Sequence, residues 1–325
     1  MFKDTGQNSE GDQMKRLFIN IAAILGVLGG LALANWVLTD GPRDMVGTLK
    51  TTQRDDVTLT YSTVAPEAGG PTHPQTIVMI PSLGRSASDF NELANQLALA
   101  GYTSLLIEPR GMRDSTGLEP PEMTLFELAK DVKQIIDVEH PRAALLKPGE
   151  ASKPNIIVLG HAFGNRVART FATAYPNQTA HTILIAAGGK VPIADRAREA
   201  LLHSFWSFAP AFWREDEIRY AFFAEGNPIP DYWIGGWNIS TSLLQVKATQ
   251  STSSDLWWEG GTAPMLVIQA LEDKIAPPED TSDLLEKELG ARVHVVRLEN
   301  AGHALLPERP DAIAQAILDA LTLSH

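Results

Sequence analysis

The stretch Gly160-His161-Ala162-Phe163-Gly164-Asn165 constrains this chain more than any other. It follows the apolar run Asn155-Ile156-Ile157-Val158-Leu159 and precedes Arg166-Val167-Ala168-Arg169-Thr170-Phe171-Ala172, which reads as a helix. Strand, tight turn and helix in that order, with small residues on both sides of the turn, let two backbones pack closely. They also lift the central residue out of the turn. Such a turn ordinarily presents a nucleophilic Ser. Here the central residue is Ala162, whose methyl group cannot attack a carbonyl.

Elements alternate on both sides of this stretch. Thr76–Ile80, Tyr102–Ile107, His181–Ala187, Pro264–Ala270 and Arg292–Leu298 are short runs dominated by apolar residues, as expected of strands buried on both faces. Helices are predicted over 89–100 with Ser88 as cap, over 125–138 after the cap Thr124, over 279–289 and over 310–321. Strand alternating with helix implies an α/β class with a mostly parallel central sheet. An alternating, β-branched strand at Val57–Thr63 precedes the first buried one.

Ahead of that core, residues 1–16 are polar and end in Lys15-Arg16. Leu17 to Leu38 then holds no charged residue. About 20 apolar residues span a bilayer as a helix. The basic pair before the run favours an N-terminus left in the cytoplasm and a globular part outside the inner membrane. Ala32-Leu33-Ala34 offers the alternative of a secretory signal cleaved near Ala34. An uncleaved anchor is favoured, because the run continues through Trp36-Val37-Leu38. Residues 39–56 read as a linker, and 57–189 with 262–325 as the core.

Between them, from 190 to 261, the alternation breaks. This segment carries Trp206, Trp213, Trp233, Trp237, Trp257 and Trp258, every Trp of the chain except Trp36. It is too long for a connection and too aromatic for disorder. It reads as a mainly helical lid whose aromatics fill its own small core and wall a pocket at the sheet edge.

Three strand ends carry candidate chemistry: Ala162, then Asp273 in Leu271-Glu272-Asp273-Lys274-Ile275-Ala276-Pro277, then His303 after Ala301-Gly302. In a parallel sheet these loops open at one edge. With the elbow, in this order and spacing, the chain from 57 to 323 resembles the α/β-hydrolase superfamily, whose order is nucleophile, acid, base. The resemblance implies an α/β-hydrolase fold with His303 as general base and Asp273 as the acid that orients it. It also implies an oxyanion hole from the backbone N–H groups of Phe163 and, in the loop after the first buried strand, Leu83. Family members often carry His-Gly in that loop; this chain has Pro81-Ser82. Arg110-Gly111 resembles a structural turn of the family.

The departure at Ala162 leaves several expectations. Ser82, Ser86 and Ser115 lie at the same edge but off the elbow, and each has an ordinary turn role. The expected activity is hydrolysis of a small apolar ester or related compound through a His–Asp pair without Ser. The alternatives are a small-molecule-binding protein without chemistry, or a lyase or oxygenase using His303 as base. No cofactor and no metal is implied, and the absence of Cys excludes disulfides, thiolate zinc ligands and thiol catalysis. A net charge of -12 argues against nucleic acid as a partner. The expected partners are a small apolar substrate and, through the N-terminal helix, a membrane.

Overall fold

The computed structural model describes residues 7–39, 41–117, 122–141 and 155–322. The strands of these residues form one eight-stranded sheet: β1 (Thr48–Arg54), β2 (Val57–Val64), β3 (Thr76–Ile80), β4 (Thr103–Ile107), β5 (Ile156–His161), β6 (Thr179–Ile185), β7 (Met265–Ala270) and β8 (Val293–Leu298). Their spatial order is β1-β2-β4-β3-β5-β6-β7-β8. The β1–β2 and β2–β4 pairs are antiparallel and the rest are parallel. This is the mostly parallel sheet expected from the sequence.

Strand periodicity sorts the core into two layers. Val78 and Ile80 of β3 point to one face, with Leu105, Val158, Phe171 and Val267. Ile77 and Met79 point to the other, with Leu159, Leu266 and Ile268. Both layers are covered by helices, which is why the central strands read as continuous apolar runs.

The segment 39–56 is not simply a linker. Thr48–Arg54 is strand β1, paired with β2 from Thr48↔Thr63 to Arg54↔Val57 across the two-residue turn Asp55-Asp56. Asp55 takes a left-handed φ of 56°, which Asp tolerates. The strand escapes a sequence reading because its side chains, Thr-Leu-Lys-Thr-Thr-Gln-Arg, belong to an exposed sheet edge. The segment just before it is also fixed. Arg43 forms two hydrogen bonds to the Glu92 carboxylate, at 2.5 and 2.6 Å, and lies 3.7 Å over the Tyr232 ring.

A second local correction concerns the cap after β3. Ser86, not Ser88, is the capping residue: its Oγ accepts the Ser88 N–H, and a single 3₁₀ turn, Ala87–Phe90, precedes the helix Asn91–Leu99. Thr124 caps the helix Leu125–Glu139 as expected, its Oγ1 accepting the Glu127 N–H.

Ahead of the sheet runs the helix Gln7–Thr39, whose residues 13–31 have a mean hydropathy of 1.6. Its described apolar side chains, such as Phe18, Ile24, Leu28 and Leu33, are exposed. At 1.5 Å per residue such a helix is about 50 Å long, more than the ~30 Å hydrocarbon layer.

Between β6 and β7 the chain forms the helices Asp195–Ser204, Ala211–Phe222, Asp231–Ile234 and Ile239–Gln250. They enclose a third apolar cluster: Phe205, Ile218, Phe222, Phe223, Trp233 and Trp237 packed with Ala304. Leu244, Ala248, Trp257 and Trp258 instead join a main core layer, so this segment is rooted in the body of the protein.

Candidate active site

The turn after β5 has the sharp geometry its residues anticipate. Ala162 is buried with φ +50°, left-handed backbone that a non-Gly residue rarely adopts. The flanking glycines permit it. A Cβ on Gly164 would lie 2.0 Å from the Ile80 carbonyl oxygen, and one on Gly160 would lie 2.4 Å from the Gly164 backbone. The strand and the helix Gly164–Ala174 therefore approach more closely than any side chain allows. Asn165 Nδ2 ties the turn to β6 through the carbonyls of Ile185 and Ala186.

Asp273 and His303 meet at the same edge. The imidazole Nδ1–H donates to the Asp273 carboxylate, at 2.8 Å to Oδ2 and 3.0 Å to Oδ1. Oδ1 also accepts the N–H groups of Ile275 and Ala276, at 2.9 and 2.7 Å, which fixes the carboxylate. With Nδ1 carrying its proton to Asp273, Nε2 of the neutral ring is the basic atom. It has no hydrogen-bond partner among the described residues. Both side chains are nearly shut off from solvent.

His161, one residue before the elbow, was not anticipated from the sequence. Its ring is fully buried, and Nε2–H donates to the His303 carbonyl oxygen at 3.0 Å. Burial, and then the neighbouring His303, push its pKa down to about 4, so the ring is neutral. Its Nδ1 is left without a partner, as is the buried Nε1 of Trp233. The two rings meet edge-on with centroids 6.5 Å apart.

The helical segment 190–261 closes this edge. Phe222 lies against His303, ring centroids 5.7 Å apart, and against Trp237 at 5.0 Å. The loop of His303 needs Gly302, where a Cβ would lie 2.5 Å from the Phe222 carbonyl. Ala304 N–H donates to that same carbonyl. Glu308 completes the clamp, accepting from the N–H groups of Gly302 and Ala224.

The loop of Leu83 is held from the same side. Gly84 N–H donates to Gln245 Oε1 at 2.7 Å, and Gly84 itself has φ +61° with Phe205 directly above it. The backbone N–H groups of Phe163 and Leu83 have no acceptor among the described residues. Arg85 is buried, bonded to both oxygens of Asp89 and to the carbonyls of Tyr232 and Gly235, with its guanidinium over Trp233 and Trp237.

Two of the serines at this edge have structural side-chain partners. Ser86 Oγ donates to Glu108, and Ser115 Oγ accepts the Thr60 N–H and donates to the Glu108 carbonyl. Ser82 is buried in its turn. Glu108 itself is buried, and desolvation pushes its carboxyl up to about 7 against the Ser86 hydroxyl, Arg113 and the Ala87 N–H. A cavity of about 40 Å³ lies between Glu108, Pro81 and Phe163, enough for at least one water. Among the described residues no group of three or more His, Asp or Glu side chains could hold a metal ion.

Beyond this geometry, the sequence model described as "Alpha/beta hydrolase family" matches residues 77–316. The chain belongs to the alpha/beta hydrolase family. Among curated proteins it is similar to "Putative carbamate hydrolase RutD" of Variovorax paradoxus, with 24% identity over 78% of this chain and 94% of that one. A membrane phospholipase A, described as a bacterial virulence factor, has the same fold at TM-score 0.64 and 18% identity. It covers 95% of this chain and 99% of its own. A thermophilic esterase from Thermogutta terrifontis superposes at TM-score 0.64 and 19% identity, over 86% of this chain and 100% of its own. At such identities the solved structures show the alpha/beta hydrolase fold and no more.

Proposed function

We propose that this alpha/beta hydrolase family member is a membrane-anchored hydrolase of small, largely apolar esters that works without an acyl-enzyme. His303, oriented by Asp273, takes a proton on Nε2 from a water molecule seated where a Ser hydroxyl would lie. The water oxygen attacks the ester carbonyl carbon, and the oxyanion is received by the N–H groups of Phe163 and Leu83. Collapse expels the alkoxide, which recovers the proton from the imidazolium, leaving acid and alcohol. The observation that carries this reading is the Nδ1–Asp273 pair at 2.8 Å with its Nε2 unpaired, beside an elbow that keeps φ +50° at Ala162.

Loss of one member of a triad still leaves rate enhancements of about 10³–10⁴ over water, so this chemistry is slow but measurable. The carbamate hydrolase among the curated relatives favours hydrolysis over the lyase and oxygenase readings. The aromatic segment 190–261 acts as a lid: Phe222, Trp233 and Trp237 move to admit the ligand and then exclude bulk water. The N-terminal helix crosses the inner membrane with Lys15-Arg16 in the cytoplasm and the enzyme outside.

The test is hydrolysis of 4-nitrophenyl acetate by the full chain in detergent. Wild type should turn over without a burst and without labelling by an organophosphate, and His303→Ala should lower the rate at least tenfold. Activity that survives His303→Ala removes the base from the scheme. The closed state of the site, with His303 only 4% exposed, favours one competitor, a ligand-binding protein without chemistry. In that case His303→Ala would bind the ester as wild type does and neither would hydrolyse it.

A further inference from the structure

The first turns of the helix after the elbow carry two arginines that pair with no carboxylate among the described residues. Arg169 is fully buried. Its Nε donates to the Asn165 carbonyl at 3.3 Å and its Nη2 to the Gly188 carbonyl at 2.6 Å, while Nη1 has no partner. Its guanidinium lies 4.6 Å from the Trp257 ring centroid and 4.8 Å from that of Trp258. Arg166, one turn earlier, has a long contact of 3.5 Å from Nη1 to Thr249 Oγ1, and its Nε has no partner. Trp257 adds a third buried N–H, Nε1, also without an acceptor. The three groups are neighbours, the Arg166 guanidinium lying 5.8 Å from the Trp257 ring.

Buried cations are normally paired, because desolvation penalises an isolated charge. Burial, and then the charge of Arg166, push Arg169 down to about 9, and burial lowers Arg166 as well. The carboxylate at the rim, Glu288, is occupied by Lys190 at 2.9 Å and by Trp258 Nε1. Three unsatisfied donors and an excess of positive charge call for one acceptor group. Gly188 lies between these donors and the elbow. A Cβ there would lie 3.6 Å from Arg166 Nε and 3.7 Å from the Ala162 carbonyl oxygen.

We propose that Arg166, Arg169 and Trp257 form a binding site for an oxyanion group, a carboxylate or phosphate carried by the ligand that occupies the elbow. Planar guanidinium forks suit such groups. The assignment to that ligand rests on the hydrolase reading, whereas anion binding as such does not. It makes the substrate an apolar molecule with one acidic group, rather than a wholly apolar one.

The test uses the full chain in detergent, inorganic phosphate as the first probe, and Trp fluorescence with calorimetry as readouts. Phosphate should bind saturably. Arg166→Gln should weaken it at least tenfold and Trp257→Phe several-fold, with Arg166→Lys recovering part of the loss and unfolding midpoints held close to wild type. The second probes are mono-(4-nitrophenyl) succinate and neutral 4-nitrophenyl butyrate. The succinate should displace phosphate and bind about tenfold better than the butyrate, a preference that falls toward unity in Arg166→Gln. No saturable phosphate binding, or equal binding by Arg166→Gln, overturns the site. Phosphate binding that the succinate cannot displace means the site takes free anions only and overturns its assignment to the ligand. Displacement without hydrolysis of either ester supports the anion site while rejecting the hydrolase reading.

Discussion

His161 donates its Nε2–H to the carbonyl oxygen of His303 at 3.0 Å, so the strand that leads into the elbow holds the loop that carries the base. The bond requires a proton on Nε2, and burial keeps the ring neutral. It is formed in full burial, where a charged imidazole would be costly. Glu108, also buried, has its carboxyl pushed up to about 7.

These two groups load stability in opposite directions. Between pH 4 and 6.5 the unfolded chain binds a proton at residue 161 that the native chain refuses, so this term makes stability rise with pH. Between pH 4.5 and 7 the native chain keeps a proton on Glu108 that the unfolded chain has lost, so that term makes stability fall with pH. Each is worth about 3 kcal/mol at most by the usual conversion, and over the shared window they nearly cancel. Glu108→Gln should therefore gain on wild type as pH rises from 4.5 to 7.5. His161→Gln should gain on wild type as pH falls over the same range. Urea midpoints of the detergent-solubilised chain at the two pH values check both signs, and parallel profiles for all three proteins would refute them.

The elbow makes a harder steric demand. Gly164→Ala places a methyl 2.0 Å from the Ile80 carbonyl oxygen, and Gly160→Ala places one 2.4 Å from the Gly164 backbone. Neither neighbour is a flexible side-chain end, so β3, β5 or the helix must shift. Overpacking of this kind costs about 1–3 kcal/mol or more. Gly226→Ala is the control: the added Cβ meets nothing there, although its φ of +83° carries a backbone cost. Denaturation midpoints should rank Gly164→Ala lowest, and a Gly164→Ala protein as stable as Gly226→Ala would show that the close approach is not real.

Arg85 and Asp89 test how the segment 190–261 is held. The pair is buried, and the guanidinium bridges the helix after β3 to the carbonyls of Tyr232 and Gly235. Removing one partner of a buried pair costs about 3–5 kcal/mol, because the other charge is stranded, whereas replacing both by apolar residues is often nearly neutral. Arg85→Met should thus be strongly destabilising, and Arg85→Met with Asp89→Leu much less so. Because the double variant also loses the bonds to residues 232 and 235, proteolysis within 190–261 should quicken in it even where global stability recovers. A double variant as unstable as the single one would point to the contacts with residues 232 and 235, not the charge, as the main term.

The fold was legible because buried parallel strands leave unbroken apolar runs, as in Thr76–Ile80 and Met265–Ala270. The turn glycines between them mark where each run must end. Strand β1 was hidden because its exposed edge carries no apolar alternation. The loops holding Ala162, Asp273 and His303 could be placed at one edge from element order alone. Their surroundings could not. Arg85, Glu108 and Arg169 look like ordinary loop or helix charges in one dimension. Their burial comes from contacts made 20 to 150 residues away, such as Arg85 with Gly235. Local pattern carries no information on such pairs.

Ala162 sits at φ +50°, where an L-residue costs about 1–2 kcal/mol relative to ordinary helix backbone, and the chain meets that cost without a nucleophile to position. Two substitutions separate the geometry from the chemistry. Ala162→Gly relieves the strain and adds no reactive group, so it should leave stability equal or higher and give no new activity. Ala162→Ser keeps the backbone and adds one hydroxyl at the position the turn presents. The imidazole is already oriented by Asp273 at 2.8 Å, and the Phe163 N–H is already unpaired. Acyl transfer needs a nucleophile–base hydrogen bond of about 2.6–3.2 Å and a prepared oxyanion site. Ala162→Ser should therefore gain burst kinetics on 4-nitrophenyl acetate, with a rate at least tenfold above wild type, and mass spectrometry should find organophosphate on residue 162 and nowhere else. A folded Ala162→Ser protein that shows neither burst nor label would mean that His303 Nε2 is not aimed at the elbow, and the water-activation scheme would fall with it.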